Sequence, residues 1–337
     1  MAAELHGAPA RWATPRLSDE SHGPRARRFI ESFCTNLKGP EAGKRVKLRP
    51  WQADLIDGAL ELNGSGYWKN RTGLVGVARK NGKSLLGSGL GLYGLVGSGE
   101  QGAEVYSCAG TVDQARIVFD EAKKMIARDP DLSKVLKVYK KAIEFPATGS
   151  VWRVLSADAF SAEGLNPYMV IFDEVHVQPS WDLWNVMTQG SATRPNALVL
   201  GITTAGHDRS SMCYSLYEYG KKLATGEDVD PSFYFRWWEP RDTAADFMLP
   251  ASWAEGNPGL GDFQLVRDFE SAARQAKAQS RENAFRRYRL NQWVSSEDAW
   301  LPYGAWDELA DPEGFAQAME GGAASLRRLL AASGVGG

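Results

Sequence analysis

Cysteine and histidine are scarce in this chain: its 337 residues include 3 cysteines and 4 histidines. Cys34, Cys108 and Cys213 lie far apart with no Cys-x-x-Cys pair, which fits a reducing compartment and argues against structural zinc. No histidines are paired at metal-ligand spacing, so zinc or di-iron chemistry is not expected. No apolar run reaches the roughly 18 residues that a membrane-spanning helix needs. The stretch from Met1 to Glu20 lacks the apolar centre of a secretory signal, so neither membrane nor secretion is expected. A surplus of positive charge is also missing. The net charge is −2, and any nucleic-acid surface must therefore be local. Arg25/Arg27/Arg28, Lys44/Arg45/Lys47/Arg49 and Arg286/Arg287/Arg289 are the basic clusters, each read more simply as a solvated helix face or loop end.

What is present is an ordinary globular composition, 43% apolar and 24% charged, without internal repeats. Residues 1–23 are rich in proline and alanine and are expected to be disordered or loosely attached. Phe29, Ile30, Phe33 and Leu37 recur at helical spacing, and Pro50 suits the first turn of a second helix. From there strands and helices alternate. Strands are predicted over 74–78, 104–108, 142–145, 152–155, 169–172 and 198–203, and helices over 85–96, 112–128 and 181–189. This order indicates an α/β fold around a mainly parallel sheet. After residue 210 helical stretches surround Phe233-Tyr234-Phe235-Arg236-Trp237-Trp238, whose aromatics read as packing core.

Three strand ends carry chemistry. The first runs from Leu74 to Ala78 into Arg79-Lys80-Asn81-Gly82-Lys83-Ser84 and then a helix. Backbone N–H groups of such a loop, through Lys80, Asn81, Gly82, Lys83 and Ser84, would surround a phosphate at a helix N-terminus. Lys83 would reach the β- and γ-phosphates and the Ser84 hydroxyl would ligate Mg²⁺. The common loop pattern has glycine where Val77 stands, and Gly76 comes one residue early. In the second, Met169-Val170-Ile171-Phe172 ends in Asp173-Glu174. Asp173 would hold Mg²⁺ through water and Glu174 would polarise the water that attacks the γ-phosphate. In the third, Leu198 to Ile202 runs into Thr203-Thr204-Ala205-Gly206, two hydroxyls placed to sense the γ-phosphate.

Together these stretches, with Leu48-Arg49-Pro50-Trp51-Gln52, resemble the ATPase motor domain of the large terminase subunit of tailed double-stranded DNA phages, most closely the HK97-like group. Asn257-Pro258 and Arg289-Leu290-Asn291-Gln292-Trp293 are similar to later landmarks of that family. The resemblance implies a P-loop NTPase of the ASCE type with a small helical/β lid subdomain. It implies that Gln52 reads adenine, Arg79 contacts the γ-phosphate, and Thr203 and Thr204 pass hydrolysis on to the DNA-gripping part. ATP and Mg²⁺ are the implied cofactors. Double-stranded DNA, a small terminase subunit and a portal or procapsid are the implied partners, with a homo-oligomeric ring acting in the host cytoplasm.

The implied division is a disordered segment 1–23, a helical arm 24–47, an ATPase core 48–209, a lid or linker 210–300, and a tail 301–337 where a nuclease domain would begin. Asp307, Glu308, Asp311 and Glu313 in that tail read as solvated acids, so ATP hydrolysis without DNA cleavage is expected of this chain. No arginine stands in 157–164, where other large terminases carry one that acts on a neighbouring subunit, and Arg194 and Arg209 are the substitutes considered. Three other functions fit part of the pattern. Asp173-Glu174-Val175-His176 matches a DExH-type helicase, though no second motor domain follows. A catalytically incomplete terminase fragment and a P-loop kinase are the others.

Overall fold

The run Met169-Val170-Ile171-Phe172 has no polar interruption, which suits a strand covered on both faces, and Met169–Asp173 is buried throughout. It is the middle strand of a 9-stranded sheet. In chain order the strands are β1 (Trp12–Ala13), β2 (Thr72–Gly76), β3 (Glu104–Ala109), β4 (Lys137–Val138), β5 (Ala142–Phe145), β6 (Ser150–Ser156), β7 (Met169–Asp173), β8 (Leu198–Thr203) and β9 (Phe233–Trp237). Across the sheet the order is β1-β9-β2-β8-β7-β3-β6-β5-β4. Strands β9 through β6 are parallel neighbours, while β1, β5 and β4 join by antiparallel pairing. This is the computed structural model of the chain; it describes residues 7–157 and 164–295, all within one compact unit, Met1–Asp298. Most of the 157–164 segment, the tail 301–337 and its acids Asp307, Glu308, Asp311 and Glu313 lie outside the described residues.

The helices are α1 (Gly23–Phe33), α2 (Pro50–Ala59), α3 (Lys83–Leu92), α4 (Val112–Arg128), α5 (Pro130–Val135), α6 (Asp182–Gly190), α7 (Met212–Thr225), α8 (Pro250–Gly256), α9 (Val266–Ala278) and α10 (Glu282–Leu290). Successive strand residues alternate between two cores. Ile171 packs with Ile30, Leu55, Leu90 and Phe119 of α1 to α4, whereas Val170 and Phe172 pack with Trp184, Met187 and Leu216 of α6 and α7. Helix α4 shows how the sequence specifies this. Thr111 caps it by accepting the Gln114 N–H, and Asp113 suits its first turn. Its stripe of Ala115, Val118, Phe119, Ala122, Met125 and Ile126 is buried, where a side chain such as Phe119 contributes about 1.5–3 kcal/mol. Asp129-Pro130 ends it, and the Asp129 carboxylate caps α5 by accepting the N–H groups of Asp131 and Leu132. Helices α8 to α10 enclose a separate core around Trp253, Phe269 and Phe285.

Two departures from the sequence-based expectation concern the margins. The segment expected to be loose is tied down from Gly7 onward. The Gly7 N–H donates to Pro258 O, Trp12 and Ala13 pair with β9, and the N–H groups of Leu17 and Ser18 both donate to the buried Glu61 carboxylate at 2.6 and 2.7 Å. Its few apolar residues gave no periodic signal because backbone and indole hydrogen bonds hold it. The aromatic segment is core, as read, but as strand β9 beside β2, so the sheet extends past the boundary expected near residue 210.

Candidate functional site

The flawed phosphate loop resolves first. Gly76 is a packing glycine of β2: a Cβ there would sit 2.0 Å from the Trp237 ring of the neighbouring strand. The loop begins at Val77, whose N–H donates to Thr203 O and whose carbonyl accepts from Lys83 Nζ at 3.3 Å. Lys80 and Gly82 take positive φ values of 72° and 78°, the left-handed conformation from which tight anion-binding turns are made. Gly82 is the N-cap of α3, which begins at Lys83, and no side chain caps it. The free N–H groups and dipole of that end suit a phosphate.

Three motifs far apart in sequence meet at the buried Lys83 ammonium. It donates to Thr204 Oγ1 at 2.6 Å and lies 3.7 Å from Glu174 Oε1. Glu174 leaves β7 with φ 51° and ψ 56°, a strained conformation for a non-glycine residue, held by its N–H donating to Ile202 O at 2.9 Å. Its other carboxylate oxygen lies 3.1 Å from His176 Nδ1, which in turn lies 3.0 Å from Thr203 Oγ1. Thr203 Oγ1 also accepts the His176 N–H and donates to Thr204 O.

Electrostatics separates the two carboxylates. Burial, then the Glu174 charge, pushes Asp173 up to about 7 despite Lys83. Burial also acts to raise Glu174, but Lys83, His176 and Arg79 outweigh it and hold that carboxyl down at about 2. Burial lowers Lys83, against the pull of Glu174 and Asp173. The two carboxyls are thus shifted in opposite directions, Glu174 toward the ionised form and Asp173 toward the protonated one. The hydroxyl of Ser84 and the carboxylate of Asp173 are the hard oxygen groups here that could hold a divalent cation, whose charge would offset the burial and the Glu174 charge that raise Asp173.

The cleft in front of Lys83 has a volume of about 750 Å³. Gln52, Arg79, Lys80, Gly82, Lys83, Ser84 and Glu174 line it, together with His176, the 36–41 loop and Phe263. Asp173, Thr203 and Thr204 are buried and absent from its lining. The Gln52 side chain is buried, its Oε1 accepting the Arg49 N–H in a capping box at the start of α2. Arg49 itself pairs with Asp262 and lies over the Phe263 ring.

The Asn81 side chain has a second task beside the loop backbone. It does not line the cleft. It donates to Asn257 Oδ1 and Ala78 O and accepts from Gly259 N–H and Gln264 Nε2, so it joins the loop to the α8–α9 region. Arg79 lies 3.6 Å above the Tyr288 ring and its N–H donates to Tyr288 O. Tyr288 had no signal in sequence, being one aromatic in an amphipathic helix. Arg194 is bonded within the fold to Glu100, Gly102 O and Asn166 O, near the starts of β3 and β7. Arg209 is exposed beyond the end of β8 and lies 5.8 Å from the Tyr214 ring.

Comparison with known proteins places the chain in a family. Residues 50–222 match the family described as terminase large subunit, ATPase domain. The chain is 31% identical over 296 residues to the large terminase subunit of Enterobacteria phage HK97, covering 85% of this chain and 56% of that protein. It is 27% identical over 151 residues to protein YmfN of Escherichia coli K12, covering 44% of this chain and 33% of that one. The crystal structure of the HK97 bacteriophage large terminase superposes with a TM-score of 0.71 at 28% identity, covering 81% of this chain and 56% of that structure. The chain thus spans little more than half the length of the HK97 relative and a third of YmfN.

Proposed function

We propose a function from one premise: the chain belongs to the terminase large-subunit ATPase-domain family. It is the ATP-hydrolysing motor of viral genome packaging and drives double-stranded DNA into a procapsid. The observation that carries this is the meeting of Lys83, Glu174 and Thr204 at one buried point on the cleft. Lys83 binds the β- and γ-phosphates, exchanging its bonds to Thr204 and Glu174 for phosphate oxygens. The N–H groups of the 80–84 loop surround the phosphates, Gln52 meets the base, and Arg79 leaves Tyr288 to reach the γ-phosphate. Ser84 and Asp173 would hold Mg²⁺, which when bound neutralises phosphate charge. Glu174, ionised and fixed by its backbone, takes the proton of the attacking water, and Thr203 and Thr204 register loss of the γ-phosphate.

The sheet with α1 to α7 is the motor core in this proposal, and α8 to α10 form the lid. A small terminase subunit, a portal and further copies of the chain in a ring complete the machine in the host cytoplasm, with Arg209 the arginine available to a neighbouring copy. ATP turnover measured on variants tests the site. Lys83→Ala abolishes hydrolysis. Glu174→Gln keeps nucleotide binding and lowers turnover at least ~10²-fold, the range for losing a positioned base. Unchanged turnover in either would remove the assignment.

A further inference from the structure

The basic clusters most visible in sequence are largely occupied within the fold. Arg27 pairs with Asp57 at 2.8 Å, Arg45 with Asp129 at 2.7 Å, Arg49 with Asp262 at 2.7 Å, and Arg286 with Glu282 at 2.7 Å. Arg287 donates to Ala205 O, and Arg289 lies over the Phe269 ring. A different basic surface stands at the far edge of the sheet. Residues 134–141 read Lys-Val-Leu-Lys-Val-Tyr-Lys-Lys, four lysines without an acid. They form the end of α5, the outermost strand β4 and the turn into β5.

Lysine on an edge strand ordinarily guards against pairing with another sheet. Lys137 fits that role, standing on the ladder opposite Glu144, and Lys134 lies 3.8 Å from Asp131. Lys140 and Lys141 do not. They lie in the turn, past the last ladder pair Val138 with Ile143, where there is no edge to guard. Both are exposed and neither makes an ion pair among the described residues. Tyr139 beside them is 49% exposed and Val138 42%. Strand β4 runs in the same direction as β6 with β5 between them, and Val138 is level with Trp152 and Val105, so the turn stands on the outer margin of the sheet, short of the strand ends that lead into the phosphate loop.

The geometry points to the 139–141 turn as a contact for the phosphate backbone of duplex DNA. The inference rests on the packaging-motor proposal and adds where the chain grips its substrate. A motor moving DNA of any sequence needs contacts that carry no base information, and lysine ammonium groups on phosphates are of that kind. With a net charge of −2 the chain has no global positive field, so its attraction for DNA must come from local groups of this kind. The Tyr139 ring and hydroxyl extend the contact onto sugar and phosphate.

The experiment measures binding of a labelled mixed-sequence duplex by fluorescence anisotropy from about 50 to 200 mM salt. The chain is compared with Lys140→Ala/Lys141→Ala, with Lys140→Arg/Lys141→Arg, and with Lys277→Ala on α9 as an exposed control. The double alanine variant binds roughly 10–100-fold more weakly at ~0.1 M salt, and its log–log salt slope is shallower by about 2. The arginine pair and the control bind as the parent does, and ATP turnover without DNA is unchanged in all. A double alanine variant that matches the parent overturns the inference and leaves the motor proposal standing. So does loss of binding to polyglutamate with duplex binding intact, which would make the turn a protein contact. A parent chain that neither binds duplex nor hydrolyses ATP overturns the motor proposal and this inference with it.

Discussion

Asp173→Asn is expected to stabilise the fold while destroying its activity. The native carboxyl titrates near 7 because it is buried beside Glu174, and the unfolded one near 3.8. A native pKa above the unfolded value means that the folded state holds the proton more tightly. The associated stability is therefore complete below pH 3.8 and is lost as pH rises to about 7. Between pH 5 and 7 that loss amounts to roughly 2–3 kcal/mol at ~1.4 kcal/mol per pH unit. Asparagine fills nearly the same volume and cannot ionise, so the variant escapes the loss. Urea unfolding followed by tryptophan fluorescence, without nucleotide or Mg²⁺, should show the variant gaining on the parent chain by about this amount from pH 5 to pH 8. Adding ATP and Mg²⁺ at pH 8 should raise the parent's midpoint and leave the variant's nearly unchanged. A difference that does not vary with pH, or a variant that is the less stable at pH 8, would refute the burial argument.

Asn81→Ala leaves Asn257 Oδ1, the Gly259 N–H and Gln264 Nε2 without their partner. Unfolding should become easier by roughly 2–4 kcal/mol, and hydrogen exchange should rise first in α8 and α9; protection unchanged there would show that Asn81 does not hold that unit. Gly76→Ala drives a methyl into the Trp237 ring. A loss of about 1–3 kcal/mol or more is expected in thermal or urea unfolding, smaller when made in a Trp237→Leu background, and an additive double variant would mean that the indole is not the obstacle.

How much of this was legible follows from where the information lies. Periodicity located the six strands flanking the site and the helices between them, because continuous apolar runs and a three-to-four spacing are properties of local sequence. Strand β9 carried the same signal but was read only as aromatic core, since nothing local says that it pairs with Thr72–Gly76. The missing loop glycine looked like a defect from sequence because the use of Gly76 depends on Trp237, a residue brought beside it only by that pairing. Asp173, Glu174 and Lys83 were found because strand-end chemistry is local. The opposite shifts of the two acids were not, since they arise from burial and from the distance between Lys83 and Glu174. The loop position of Asn81 spoke only for its backbone N–H, while its side-chain amide is committed to partners contributed from residues 257–264, which no local signal announces.

Those partners give the phosphate loop two sides with different attachments. On the inner side Lys83 meets Thr204 and Glu174. On the outer side Arg79 stacks on Tyr288 and Asn81 holds Asn257, both in or beside the α8–α10 unit. The end of β8 reaches the same unit independently: Ala205 N–H donates to Asn291 Oδ1 at 2.7 Å, Ala205 O accepts from Arg287, and the Asn291 amide continues to Trp238 O at the end of β9. Helix α10 and the residue that ends it are therefore joined both to the 77–84 loop and to the end of β8. If Arg79 moves to a γ-phosphate it must give up the Tyr288 ring, and if Thr204 yields Lys83 to phosphate the adjoining Ala205 is the next residue to feel it. Both displacements bear on one short helix, so the lid would respond to nucleotide through two contacts at once. Tyr288→Leu should weaken one contact and spare the other: ATP affinity should change while hydrogen exchange at the end of β8 and in residues 289–293 still responds to nucleotide. Loss of that response in Tyr288→Leu would mean that the β8 end has no separate path to the lid.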